Sequence, residues 1–283
     1  MTASIADLDL ACAATALYLY PVKACAALAV PELVLDARGA PVGDRAWAIV
    51  DAQGVVTWQG AHPRLALVQP RLAGATLHLG AAGFEDVAVP AAPALAPCRA
   101  QIWNDLRARH DSFDAGDAGD AVAAWLARVV GAPLRLVRLA DAAQAREGNN
   151  ALHLVFADSL AVVDGHLAAA GRPPADPRRY RPNIVLAAPT ADAGMEFIED
   201  SVAALAWQSA AGPVHLDVTA PCMRCVVPNV DPASARVDDA VLETLARLSQ
   251  QRRPGATVFG VYARGPAGAR LRVGDAAHMV LAF

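Results

Sequence analysis

The chain predicts a β-rich α+β fold, because short apolar runs alternate with turn residues over its first hundred residues and three helix-length segments are set apart farther on. Of its 283 residues 55% are hydrophobic and only 18% charged, enough apolar material for one large domain or two modest ones.

In chain order, Ala16–Tyr20 before Pro21, Ala46–Val50 before Asp51-Ala-Gln-Gly54, Leu65–Val68, and Thr76–Leu79 beyond Gly74 read as strands of a small sheet or barrel. Asp111–Asp120, rich in Asp, Ala and Gly, reads as a solvated approach to a helix over Asp120–Val130. That helix sets Val122, Trp125, Leu126, Val129 and Val130 on one face and stops at Gly131 and Pro133. Leu134–Leu139 and Ala151–Phe156 follow as strands. Asp158-Ser159 caps a second helix through Ala170, ended by Gly171. Pro173 to Pro177 form a rigid loop. Asn183–Ala188 and Val214–Val218 are buried strands, Asp238–Gln251 a third helix, and Thr257–Tyr262 and Leu271–Val273 the closing strands. A domain break falls near residues 131–150, and there is no internal repeat.

A formal net charge of -4 with no Lys/Arg block provides no footprint for nucleic acid or an anionic membrane. The five cysteines are an odd, scattered set, which fits reduced thiols and a cytoplasmic location. The first residues lack a basic segment, so no signal peptide is read, and the longest apolar tract, Ala11–Leu35, is broken by Pro21, Lys23, Pro31 and Glu32.

There is no Walker loop, GxGxxG, HExxH or GxSxG. What stands out is Cys222-Met-Arg224-Cys225, between a strand and a loop fixed by Pro228 and Pro232. A thioredoxin-type dithiol belongs at a helix N-terminus, which the prolines disfavour, and structural zinc requires four ligands. A single thiolate bound to a soft metal, with Arg224 beside it to hold an anion, requires no second cysteine pair, which points to a site with an external cofactor. His153, on an apolar strand, is a core histidine or a site wall.

These residues belong to a longer ordered series: Tyr20-Pro21-Val22-Lys23, Gly43-Asp44-Arg45-Ala46-Trp47, His62-Pro63-Arg64-Leu65, His153-Leu154 with Asp158-Ser159-Leu160, Tyr180-Arg181-Pro182-Asn183-Ile184-Val185, and Glu199-Asp200-Ser201. Cys222–Cys225, Phe259-Gly260-Val261-Tyr262 and Arg272-Val273-Gly274-Asp275 complete it. The series resembles the MOSC-domain proteins, the molybdenum cofactor sulfurase C-terminal family, and most of all the subgroup that includes the mitochondrial amidoxime-reducing component.

The resemblance implies a MOSC N-terminal β-barrel domain with its amphipathic helix over 1–135 and a MOSC β-barrel domain with peripheral helices over 136–283, with a pterin-dithiolene molybdenum cofactor in the cleft between them. It implies that Cys225 is the molybdenum ligand and the catalytic residue, and that Lys23, Arg45, Ser159, Arg181, Asn183 and Arg224 bind the cofactor. Guanidinium forks and amides suit its phosphate and ring, and helix N–H groups at Asp158-Ser159 suit its oxygens.

The activity implied is two-electron oxotransfer, reducing small N-hydroxylated compounds, with electrons from a separate cytochrome, ferredoxin or flavin reductase. The alternatives are a sulfur or molybdenum-cofactor carrier without its own turnover, and a silent binding module. Pyridoxal phosphate, sometimes attached to the family, requires a Schiff-base lysine, and Lys23 is the only lysine. The sequence departs from the family pattern at Ala24, usually Ser, at 57–62, where no arginine stands, and at Val202, usually Trp.

Overall fold

The computed structural model describes residues 10–74, 76–89, 95–146, 151–188 and 196–282. Residues 1–9, which carry part of the reading against a signal peptide, lie outside them. Strand exceeds helix, 43% against 22%, and the fold class is the β-rich α+β one expected.

The chain opens with β1 (Ala11–Leu19), β2 (Leu28–Ala29) and β3 (Glu32–Val34). On β1 the core-facing residues are Cys12 and Ala14, then Leu17 and Leu19. The change of parity coincides with a register shift between Ala14 and Ala16, where an extra residue turns the apolar set back inward.

A smaller unit follows: β4 (Trp47–Val50), β5 (Gln69–Ala73), β6 (Thr76–Ala81), β7 (Phe84–Ala88), β8 (Ala96–Asn104), β9 (Arg109–Asp117), α1 (Asp120–Val130) and β10 (Arg135–Leu139). Its sheets are β4-β10-β9-β8 and β5-β6-β7. The expected face of α1 is buried, and Gly131, at φ 83°, caps it by donating to Ala127 O. Two expectations are corrected here. Leu65–Val68 is not a strand: Pro63–Leu67 is a 3₁₀ turn opened by proline. Residues 111–117 are not a solvated approach, because β9 pairs with β8 along all nine of its residues.

After α2 (Asp141–Gln144) come β11 (Leu152–Phe156), α3 (Ala157–Ala169), β12 (Ile184–Ala187), β13 (Val202–Ser209), β14 (Gly212–Met223), α4 (Ala240–Arg252), β15 (Val258–Arg264), β16 (Arg270–Arg272) and β17 (Ala276–Leu281). Seven strands close into a barrel in the order β12-β11-β15-β14-β13-β17-β1, with β1 pairing back to β12 and β2 appended to β1. Leu154, Phe156, Leu186, Leu205, Trp207 and Leu216 lie in its core. α3 and α4 cover the outside through Leu160, Val163, Leu245 and Leu248, packed on Val155, Val185 and Phe259.

Because β1 lies inside this barrel and β3 pairs with β16, the two sheet systems are interleaved in sequence. The early strand ties the turn at Pro21–Lys23 to the barrel rim, where Lys23 N donates to Trp47 O of the smaller unit.

Candidate cofactor and active site

A cavity of about 790 Å³ opens where the two sheet systems meet. Lys23, Arg45, Arg181, Arg224, Cys222, Cys225 and His153 all line it. Three other lining residues, Trp58, Trp103 and His110, come from the smaller unit.

The cysteine motif ends β14, whose alternation buries Cys222 and exposes Met223. Arg224 N then donates to Thr257 O, and Val227–Asn229 turn as a 3₁₀ helix with Pro228 in its first turn. Cys225, past the strand end, is exposed. The Arg224 guanidinium reaches back to Cys222 Sγ at 3.0 Å and across to Tyr180 O at 2.9 Å. Cys222 Sγ is also hydrogen-bonded to the Tyr262 hydroxyl at 3.1 Å. Burial pushes the Cys222 thiol up, but Arg224 and then His153 more than reverse this and hold it well below the usual thiol range.

Arg181 follows the 3₁₀ turn Pro177–Tyr180, whose start Asp176 caps by accepting from Arg178 N. Its backbone is left-handed, φ 58°, which aims the side chain at Cys25 O, 2.7 Å away, and over the Tyr20 ring, 4.2 Å to the centroid. Burial and then the nearby positive charge of Arg45 pull its pKa down to about 10, against the opposing pull of the Tyr20 hydroxyl.

Arg45, φ 50°, lies 4.9 Å from the same ring and pairs with Asp44. Asn183 does not line the cavity. It stands behind Arg45, its Oδ1 accepting from Arg45 Nη1 at 3.5 Å and from His153 N at 3.1 Å, while its amide donates to Tyr18 O at 3.1 Å. Asn183 thus links Arg45 to the His153 and Tyr18 backbone.

Lys23 is half-buried, and desolvation, followed by the charges of Arg146 and Arg45, lowers its pKa to about 8. Ala24, the departure from the family serine, is buried with φ 69°, and its carbonyl accepts from Gln59 Nε2 at 2.7 Å. Among the described residues six non-glycines have positive φ, and three of them, Ala24, Arg45 and Arg181, line this one cavity. Backbone strain of that kind gathers where a fold holds side chains for a purpose.

Ser159 is a correction. It is fully buried away from the cavity, its hydroxyl donating to Glu199 Oε2 at 2.7 Å and accepting from Phe197 N at 2.9 Å. Nor is it a cap: α3 begins at Ala157 with no side-chain hydrogen bond at its cap, and no residue of α3 lines the cavity. The helix N–H groups expected to face the cofactor lie elsewhere.

His153 is the site wall that the sequence allowed. Its Nδ1 is 3.3 Å from Arg181 O and its ring 5.4 Å from that of Tyr262. Sequence reasoning passed over Tyr20, Tyr262 and Gln59, although the first two belong to motifs it quoted. It also passed over Trp58, Trp103 and His110, which carry no local signal.

Two guanidinium nitrogens at the site, Arg181 Nη2 and Arg224 Nε, are buried without a hydrogen-bond partner among the described residues. Unmet buried donors are costly, and acceptor oxygens of an anionic ligand would satisfy them. Among the described residues no three His, Cys, Asp or Glu side chains gather as a metal site, so a metal held here would need ligands from a cofactor as well as from a thiol. The donor set fits a pterin-dithiolene group: cations for its phosphate and ring oxygens, and an accessible sulfur for its metal.

Two family profiles match the sequence of this chain: the MOSC N-terminal beta barrel domain over residues 12–133 and the MOSC domain over 127–278. The chain belongs to the MOSC domain family. It is similar to the molybdenum cofactor sulfurases of Danio rerio, 30% identical over 89% of this chain and 32% of the relative, and of Drosophila grimshawi, 32% identical over 87% and 31%. It is also similar to mitochondrial amidoxime-reducing component 1 of Homo sapiens, 26% identical over 88% of this chain and 75% of that one. The chain thus spans less than a third of the length of those two sulfurases. Among the described residues no helix is long and apolar enough to cross a membrane.

Proposed function

We propose that this chain is a cytoplasmic, molybdenum-cofactor-dependent oxidoreductase that reduces N-hydroxylated compounds. The observation that carries the reading is the convergence of Lys23, Arg45, Arg181 and Arg224, two of them with unpartnered buried donors, on the cavity that also exposes Cys225.

Cys225 is the protein ligand to the metal, and Arg181 and Arg224 hold the cofactor's anionic groups through charge-assisted hydrogen bonds. When bound, the cofactor supplies a two-electron centre able to accept an oxygen atom from substrate. Arg224, braced by Cys222 and the Tyr180 carbonyl, keeps its guanidinium plane fixed at the base of the site. Asn183 and Asp44 do the same for Arg45.

An amidoxime that takes up two electrons and two protons leaves as an amidine and water. Lys23 Nζ, its pKa near 8, can hold and release a proton at the operating pH. Electrons arrive one or two at a time from a separate cytochrome, ferredoxin or flavin reductase.

A second reading, a sulfur or molybdenum-cofactor carrier, draws on the exposure of Cys225 and on the likeness to cofactor sulfurases. Anaerobic reduction of benzamidoxime by reduced viologen separates the two. Turnover that disappears in Cys225→Ser supports the reductase. Transfer of cofactor to a cofactor-free acceptor enzyme, without turnover, supports the carrier.

A further inference from the structure

One wall of the cavity comes from the smaller unit, which contributes Trp58, Trp103, His110 and Asp105. Both indoles are unusually bare, Trp58 at 41% and Trp103 at 49% exposure, yet both are held. Trp103 Nε1 donates to Asp105 Oδ1 at 2.8 Å, and the His110 ring meets its indole edge-on at 5.2 Å and 71°. The Trp58 indole lies against Gly60, where an added Cβ would stand 2.6–2.8 Å from three of its ring carbons. The sequence departure at 57–62, a glycine in a stretch without arginine, is thus the seat of an aromatic wall. Asp105 Oδ2 accepts no hydrogen bond among the described residues, so one carboxylate oxygen beside the Trp103 indole remains open to a ligand.

We propose that this wall of the cavity is a subsite for a flat aromatic ring carrying a positive charge, so that the preferred substrates are aryl N-hydroxylated compounds with a cationic ring substituent. Fixed indole faces offer area to a planar ring at little ordering cost and attract a cation through their quadrupole. The Asp105 carboxylate, which also acts on the Lys23 ammonium in the same cavity, adds the complementary charge. This inference rests on the reductase reading for the N–O group but not for the subsite itself.

The test uses redox-inert probes on the full chain purified from molybdate-supplemented cells: 4-(aminomethyl)benzamide, benzamide and 4-carboxybenzamide, with Kd read from quenching of tryptophan fluorescence. The aminomethyl probe is expected to bind roughly five- to tenfold more tightly than benzamide, and the carboxy probe more weakly than either. Asp105→Asn, a conservative change at an exposed position, should remove the preference and leave benzamide unchanged, and Trp103→Ala should weaken all three. Equal affinities, a preference that survives Asp105→Asn, or no binding of any probe overturns the proposal. Since binding requires no turnover, a preference without benzamidoxime reduction counts against the reductase alone, and reduction without a preference counts against the subsite alone.

Discussion

Arg224 Nη1 lies 3.0 Å from Cys222 Sγ, two residues back along the chain, while its Nη2 reaches Tyr180 O at 2.9 Å, forty-four residues away in sequence. One guanidinium thereby joins the end of β14 to the turn that presents Arg181. Replacing Arg224 by Leu leaves the Tyr180 carbonyl and the Cys222 sulfur without their donor. It is expected to cost about 1–3 kcal/mol in chemical denaturation and to lower the cofactor content. Arg224→Lys restores the charge but not the fork, and should recover part of the stability and little of the content.

Gly260, at φ 71°, holds β15 close to β11. A Cβ there would meet Leu154 O at 2.4 Å and His153 Nε2 at 2.7 Å. Gly260→Ala is expected to destabilise the chain by roughly 2 kcal/mol or more, because a left-handed backbone and a backbone clash act together. Thermal unfolding checks this, and an unchanged Tm would show that the barrel yields there.

Glu199 is buried, and burial, opposed by the Ser159 hydroxyl, raises its pKa to about 7. In the unfolded chain a glutamate titrates near ~4.3. Between those values the folded state holds the extra proton, so the stability this group confers is present in full below about pH 4 and declines as pH rises to about 7. Glu199→Gln is expected to remove that decline, as followed by urea unfolding at several pH values. A pH profile identical to that of the unmodified chain would contradict the assignment.

The three longer helices and about half of the strands were legible in the sequence, α1 from the spacing of Val122, Trp125, Leu126, Val129 and Val130 and a glycine stop, whereas α2 and strands such as β13 and β17 were not. β9 was not legible, because its Asp, Ser and Gly residues form an exposed hairpin arm that is held by pairing with β8 and not by its own apolar pattern. Leu65–Val68 shows the other ambiguity: a short apolar run fits a strand or a tight helical turn, and Pro63 decided it. At the site, the motif residues Lys23, Arg45, Arg181, Arg224 and Cys225 do converge. Ser159 failed because a helix start reveals nothing of which way its hydroxyl turns, and a buried glutamate forty residues on claimed it. The tryptophan wall depends on where the β8–β9 hairpin lies against the barrel, a tertiary relation with no local signature.

The cysteines differ sharply in access. Cys225 is exposed and Cys98 intermediate, whereas Cys12, Cys25 and Cys222 are buried, and burial pushes the Cys12 and Cys25 thiols up to about 12. Brief iodoacetamide treatment of protein grown without molybdate, read by peptide mass, should label Cys225 first and Cys98 next. Cys12 and Cys25 should remain unlabelled until the chain is unfolded. Early labelling of those two would mean that the barrel core opens readily.

The most direct measurement is the molybdenum and pterin content per chain in protein expressed with molybdate, alongside Cys225→Ser and Arg181→Met. The account predicts close to one molybdenum and one pterin in the unmodified chain, loss of the metal in the first variant and loss of both in the second. An unmodified chain that carries neither, while remaining folded, would contradict it.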